Sequence, residues 1–580
     1  ASALPLIACL LALGSAGWSR RLRFVTSPWT AAALLTGLPW LTVHALSAAT
    51  RGPKTAGVLL FPAALLLLAF LVQRILRSRS QVPTVLTTLT VLLAAILLDH
   101  TAHVLAPQPP PAADDEPDRP NVLMIIMDTV RADHLSLYGY ERETSPHLEE
   151  LARRATVYRR SVASGDMTLT THASLFTGLY GRTHGAHRSP MTPAGRPLDR
   201  SFLTLAEMTA TRDYWNAAVV ANRGYVTPHF GFDQGFHQFD SRGPVAFLGH
   251  PIPYYLRRGV RTALVPFVPR AAYDRVVRSA EQINREAIAQ LNHLAERDGP
   301  FFLFVNYMDA HNPYLPPAPY DTMFPGKDPT FTSVRYGRLM WEMNKKGLEK
   351  ISRRDREHIT SQYDGAIAYE DAAIARLLSR LEDLGLWDET LIVITSDHGE
   401  ALGDRFLVNH GVSVYQDQVG VPLVVKYPGQ STGRTVDVWT NSVDVLPTVL
   451  GATGLPVPDG LPGRDLAGLG IAPGAPGEDR AVVAESFPTG AQARFHRMER
   501  ALYAGRHKLI VNTEGKQELY DLVADPDESV NLFAESAVTD SMQARLDAWL
   551  ETTAERNDST AVAELDDEMR ARLQALGYLD

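Results

Sequence analysis

Apolar residues are arranged in two different ways along this chain. Before residue 107 they gather in four long runs, roughly Ala1–Trp18, Pro28–Ala49, Thr55–Val72 and Val82–Leu105. Each is close to the ~20 residues a helix needs to cross a bilayer. A single run would suit a cleaved signal peptide, but four in series with short basic breaks predict membrane-spanning helices. From Asn121 onward the runs shorten to strand length: Asn121–Met127, Asn216–Val220, Phe301–Tyr307, Leu391–Thr395 and Leu423–Tyr427. Continuous apolar runs of that length suit strands buried on both faces of a sheet. Amphipathic stretches separate them, among them roughly Thr360–Leu384, with Gly385 placed to stop a helix. Strands alternating with helices predict an α/β domain with a mainly parallel sheet flanked by helices.

Four segments follow from this pattern. Residues 1–106 hold about four transmembrane helices, and residues 107–120 (PQPPPAADDEPDRP) form a proline-rich acidic linker. Residues 121–480 form the α/β domain, and residues 481–580 a small C-terminal α+β subdomain and tail. The breaks after the first and third runs are the richer in arginine (Arg20, Arg21, Arg23; Arg74, Arg77, Arg79), whereas Arg51 and Lys54 follow the second. The richer breaks belong on the cytoplasmic side, so the chain is expected to be a multi-pass membrane protein with its α/β domain outside the cytoplasm. This places Ala1 outside too, and with no initiator Met we expect a preceding segment, one more helix for instance. Net charge is −9, which argues against a nucleic-acid partner. The single cysteine, Cys9, excludes an intramolecular disulfide and a cysteine nucleophile in the polar part of the chain.

The ends of the predicted strands carry the chemistry. The first stops at Asp128, the Phe301 strand near Asp309 and His311, and the Leu391 strand at Asp397 and His398. Open α/β sheets bind ligands beyond the carboxyl ends of their strands. One aspartate after a strand is ordinarily a helix cap; three such sites, two with a histidine, point to a metal. Mixed Asp and His ligands favour Zn or Mn over Ca, which remains admissible, as one ion or two. The segment Gly165–Gly178 (GDMTLTTHASLFTG) offers Thr168, Thr170 and Thr171 as hydroxyls before a helix expected to begin near His172. A hydroxyl there would meet both a metal and the anion-stabilising end of a helix. Its competing reading is helix capping. His184 and His187 read as surface residues.

These motifs, taken in order, resemble those of the sulfatase and alkaline-phosphatase superfamily. RPNVLMIIMDTVRADHLSLYGY resembles the opening of sulfatase-type domains, and TLTTHASLFTG their nucleophile signature. MDAHNPYLPP is similar to the His-x-Pro-Tyr segment, TSDHGEALGD with VNHG to the Asp-His-Gly-Glu motif and its following His-Gly, and VDVLPTVL and ELYDLVADPDESVNL to the late helix and C-terminal subdomain. The likeness runs from Asn121 to about Phe533. It implies an alkaline-phosphatase-like core, metal ligation by Asp128, Asp397, His398 and Thr168, and catalysis by Thr168, His410 and His311. Substrate contacts are expected from His172, Asn306 and Asp309, with Asp309, His311 and His410 also considered for a second ion.

Three departures accompany the likeness. Sulfatases convert a Cys or Ser to formylglycine, a route closed to Thr168; the usual Arg is His172, and the second Asp of the first motif is Thr129. A threonine nucleophile resembles the phosphorus-handling members, including phosphoethanolamine transferases and lipoteichoic-acid synthases, which share the membrane-helix architecture. The expected function is therefore metal-dependent transfer or hydrolysis of a phosphoryl group, acting on a membrane lipid or cell-envelope glycan through a phosphothreonine. A membrane-tethered sulfatase-like ester hydrolase and a non-catalytic subunit of a membrane complex are the alternatives.

Overall fold

The computed structural model describes residues 119–556, apart from 191, 244–245, 248–249, 252–276, 348–350, 470–478 and 488–496, and adds 569, 570 and 573. The four apolar runs and most of the linker lie outside the described residues. Among the described residues no helix is long and apolar enough to cross a membrane.

Eight strands build the central sheet: β1 (Asn121–Met127), β2 (Thr156–Val162), β3 (Trp215–Val220), β4 (Gln238–Asp240), β5 (Phe301–Tyr307), β6 (Thr390–Thr395), β7 (Leu423–Lys426) and β8 (Arg434–Asn441). Their order is β8-β2-β7-β6-β1-β5-β3-β4. β7 runs antiparallel to both its neighbours, β2 and β6, and all other pairs are parallel. The sheet is thus mixed and mainly parallel. β1 sits between β5 and β6, with Met124 opposite Phe304 and Val393, and all seven of its residues are buried. Each large apolar side chain buried this way contributes ~1.5–3 kcal/mol, which explains why these runs lack polar alternation.

The chain meets the sheet at the amino edge of β1. Arg119 Nη1 donates to Arg212 O (2.9 Å), Tyr214 Oη donates to Pro120 O (2.8 Å), and Asn121 N donates to Glu389 O (2.8 Å). Because β1, β3, β5 and β6 run parallel, their carboxyl ends all emerge at the opposite edge.

Three helices matter for the site: α1 (Thr168–Thr177), α2 (Ala280–Ala295) and α3 (Arg353–Asp383). α3 starts seven residues before the predicted Thr360. Its opening turns, Arg353-Arg-Asp-Arg-Glu-His358, are polar, so apolar periodicity shows only from Ile359. Ser352 Oγ accepts from Asp355 N to cap it, and Gly385, with φ +74°, follows its end as expected. The C-terminal subdomain is a four-stranded antiparallel sheet, β9 (Ala481–Ser486), β10 (Glu499–Ala504), β11 (His507–Asn512) and β12 (Gln517–Asp521), packed against helix α4 (Thr539–Thr552) through Val483, Leu502, Leu509, Leu519 and Leu546.

Candidate active site

Beyond β1 the backbone continues the ladder for one residue, with Asp128 N donating to Tyr307 O (3.0 Å). It then turns sharply at Thr129, whose φ of +65° is unfavourable for a β-branched side chain. The neighbours hold that turn. Tyr363 Oη on α3 donates to Thr129 O (2.7 Å) and accepts from Arg131 N (2.9 Å), and Thr129 N donates to Asp397 Oδ1 (3.0 Å). The loops after β1 and β6 are thereby locked together.

Each carboxylate has one satisfied oxygen and one that is not. Asp128 Oδ2 accepts from Asn222 Nδ2 (2.8 Å) and Asn306 Nδ2 (3.3 Å), while Asp397 Oδ1 accepts from Thr129 N and His398 N (2.9 Å). Asp128 Oδ1 and Asp397 Oδ2 are buried without a hydrogen-bond donor. His398 Nδ1 donates to Gly399 O (2.9 Å), which leaves Nε2 as the lone-pair nitrogen, 3.3 Å from Asp397 Oδ2. Ligand atoms of Asp128, Asp397 and His398 all lie within 4.8 Å of one another. Burial pushes Asp397 up to about 7, and burial together with the Asp397 charge raises Asp128. Two orphaned, mutually repelling buried oxygens beside an imidazole lone pair are what a divalent cation relieves, so the donor set fits one.

Thr168 is the first residue of α1, and Met167 is the N-cap. The helix begins four residues before the predicted His172. Thr168 is therefore not the cap, and its hydroxyl stands at the first turn of the helix, the end that favours anions. Its Oγ1 lies 3.2 Å from His398 Nε2 and 3.4 Å from Asn222 Nδ2. Asn222 Oδ1 accepts from Gly224 N (3.1 Å) and Tyr225 N (3.2 Å), which fixes the amide so that Nδ2 faces Asp128 and Thr168.

A second wall holds imidazoles. His410 Nδ1 lies 3.2 Å from Glu400 Oε2, and its ring centroid is 4.4 Å from that of His398 and 4.9 Å from that of His311. All three rings are buried, and burial lowers each, His311 to about 3, so they are neutral near pH 7. His311, His410 and His398 are thus grouped, whereas the ligand set found among the described residues is Asp128, Asp397 and His398 alone.

Several expected contacts turn out differently. Asn306, expected to touch substrate, is engaged by Asp128 and by Asn222 N, which donates to its Oδ1 (2.8 Å). Asp309 Oδ2 accepts from Ala280 N (2.6 Å) at the start of α2, and Asp309 is not in the ligand group found among the described residues. His172, on α1 itself, is wholly buried between Phe232 and Phe304, with Nδ1 donating to Thr168 O (3.0 Å) and 3.5 Å from Asp397 Oδ2. His184 is not at the surface but fully buried against Ser174 of α1, and His187 is half-buried, stacked on Phe487 at 3.8 Å. Asn222, Glu400 and Tyr363 escaped the sequence reading. The available signal for Asn222 was its place two residues past an apolar run, where an asparagine ordinarily marks a turn.

With this geometry in view, comparison with known proteins is informative. The protein-family model described as Sulfatase matches residues 120–455, and the one described as N-sulphoglucosamine sulphohydrolase, C-terminal, matches residues 410–556. The chain is 28% identical over 471 residues to an ulvan-active sulfatase of Formosa agariphila, covering 79% of this chain and 84% of that protein. It is 27% identical over 430 residues to a multifunctional alkaline phosphatase superfamily protein of Trinickia caryophylli, covering 64% and 80%. A phosphonate monoester hydrolase of Agrobacterium radiobacter shares the fold, with a TM-score of 0.57 at 24% identity over 75% of this chain and 95% of that one.

Proposed function

The chain belongs to the sulfatase family and is a hydrolase of the alkaline-phosphatase superfamily, and from that premise we propose that it cleaves phosphate esters, phosphodiesters foremost, through Thr168. The observation that carries this reading is the Thr168 hydroxyl at the first position of α1, 3.2 Å from His398 Nε2 and beside the orphaned oxygens of Asp128 and Asp397. Threonine cannot become formylglycine, so the sulfate-ester route that the family's Cys or Ser opens is closed at this position. The likeness to a multifunctional alkaline phosphatase superfamily protein supports a phosphorus substrate; the likeness to an ulvan-active sulfatase favours a sulfate ester on a glycan instead.

Asp128, Asp397 and His398 would hold the cation, Zn or Mn by donor type, which would acidify the neighbouring hydroxyl and offset charge on the ester oxygens. The chain's own residues do the rest. Asn222 fixes Asp128 and donates toward Thr168 Oγ1. Thr168 Oγ1 attacks phosphorus, the bond to the leaving alcohol breaks, and a covalent threonine phosphoester forms at a helix N-terminus that favours its charge. The proton lost by Thr168 passes to the leaving alkoxide, and His410 and His311 are the neutral imidazoles at hand to take it up and hand it on. Water then attacks phosphorus, gives up a proton by the same relay to Thr168 Oγ1, and releases the threonine.

We further propose that the domain works outside the cytoplasm on an envelope glycan or lipid ester, tethered by the four apolar runs. Those runs also support a second reading, transfer of the phosphoryl group to an envelope acceptor instead of water. The test is turnover of an aryl phosphodiester and an aryl sulfate, with Zn or Mn supplied, by the wild type, Thr168→Ala and Asp397→Ala. Phosphodiester cleavage lost in both variants, with a phosphoryl adduct that keeps the substrate's second ester group found on Thr168 by mass spectrometry, supports the proposal. Sulfate-ester cleavage that survives Thr168→Ala refutes it. Rates that rise when an acceptor alcohol is added identify the transferase.

A further inference from the structure

We propose that Arg405 is a positioning residue for His410, by which the C-terminal subdomain holds one wall of the site; the inference rests on the reading of His410 as an ester-contacting group. His410 follows a short hairpin in which Ala401–Leu402 pairs antiparallel with Val408–Asn409. Its turn and exit take left-handed backbone at Gly403 (φ +99°), Arg405 (+46°), Phe406 (+61°), Asn409 (+76°) and Gly411 (+76°). Glycines adopt this freely. Arg405 and Phe406 do not, and such strain persists only where the surroundings over-determine it.

The surroundings do so from three sides. Asn344 Nδ2 donates to Val408 O (2.6 Å) and Asn344 Oδ1 accepts from Val408 N (3.3 Å). Asp404 accepts from Arg131 Nη1 (2.8 Å) and Arg356 Nη2 (2.7 Å). Arg405 points to the third side. Its guanidinium lies 4.3 Å over the Tyr415 ring, 3.0 Å from Glu528 Oε2 and 3.6 Å from Asp417 Oδ2, and donates to Asp527 O. Glu528 lies beyond β12. It is buried, is ion-paired with the buried Lys508 of β11, and accepts from Gln416 N (2.8 Å).

Without the guanidinium, Glu528 keeps Lys508, so the subdomain retains its own ion pair. The hairpin tip loses its hold and can leave the left-handed region. Five residues on, His410 loses the support that sets its 3.2 Å contact with Glu400. Thr168 opens α1 and Asp128 follows β1, while Asp397 and His398, which precede the hairpin, are held by Thr129 N and Gly399 O, so these four keep their geometry.

The test is a double-mutant cycle on phosphodiester hydrolysis by the full chain, with Arg405→Ala, His410→Ala and the pair, plus Arg405→Lys. The expected result is a kcat loss of about tenfold or more in Arg405→Ala with KM and bound cation nearly unchanged, partial recovery in Arg405→Lys, and no added loss from Arg405→Ala once His410 is alanine. Losses that multiply in the pair, or that come with loss of the cation, overturn the proposal. Glu528→Gln enters the same cycle should Arg405→Ala fail to fold, with the same two outcomes. If the wild type cleaves no ester, the functional reading fails by itself, and amide hydrogen exchange still decides the clamp. Exchange accelerated in residues 404–411 but not in 165–178 of Arg405→Ala supports it, and unchanged exchange in 404–411 overturns it.

Discussion

Lowering the pH should destabilise this domain through a histidine that never meets substrate. His184 is completely buried, and burial, followed by the nearby His187, lowers it to about 3. Its Nδ1 accepts from Ala186 N (3.0 Å), a bond only the unprotonated nitrogen can accept, so Nε2 carries the proton and donates to Ser174 Oγ (3.1 Å) on α1. The unfolded chain takes up a proton near pH 6.5, whereas the folded one resists until about 3. Between those values the unfolded state binds more protons, so stability is intact above 6.5 and falls as the pH drops through this window. At pH 5 the loss from this one residue is about 2 kcal/mol, from 1.5 pH units at 1.36 kcal/mol each. The measurement is urea unfolding of the wild type and His184→Asn, which keeps an acceptor for Ala186 N, at pH 7.5 and pH 5. The static cost of the substitution cancels in the difference between the two pH values, and so do the other histidines. The variant should lose about 2 kcal/mol less than the wild type on acidification; equal losses would refute the assignment of a buried neutral imidazole beneath the nucleophile helix.

Other expectations follow from the same contacts. Asn222→Ala should lower kcat by about 10–100-fold, because Asp128 and Thr168 both lose a donor, and should also lower Tm, because Gly224 N and Tyr225 N lose their acceptor; steady-state kinetics beside a melting curve checks both. Tyr363→Phe leaves Thr129 O without its donor and Arg131 N without its acceptor, and should cost about 1–3 kcal/mol in urea unfolding. Saturating Zn or Mn at a hundred times its Kd should stabilise the domain by about 2.7 kcal/mol over the chelated form. Asp397→Ala should abolish that increment, and an increment that persists places the cation elsewhere.

The sequence was most readable where burial leaves no choice of residue. β1 and β5 match their predicted runs end to end, because a strand buried on both faces must be apolar throughout. β2 went unseen, since Arg159 and Arg160 interrupt it and reach solvent from a strand near the sheet's rim. The four strands of the C-terminal subdomain alternate too irregularly to stand out. Aspartates and histidines after strands pointed to the metal cradle, as the topology brings strand ends together whatever the loops do. What the pattern could not supply was direction. His172, His184 and Asp309 all lie near the site, but their chemistry is spent on a backbone carbonyl, a serine and a helix end. Asn222 looked like a turn residue and Asn306 like a substrate contact, and their hold on Asp128 shows only in the structure.

The two edges of the central sheet divide the work of the domain. Arg119 and Pro120 are fastened at its amino edge, and Asp128 opens at its carboxyl edge, a seven-residue strand and ~23 Å away. The bonds that seat the chain on its sheet are therefore far from the bonds that shape the acidic cradle. A substitution at Tyr214 that loosens the entry costs stability while leaving Asp128, Asp397 and His398 where they are.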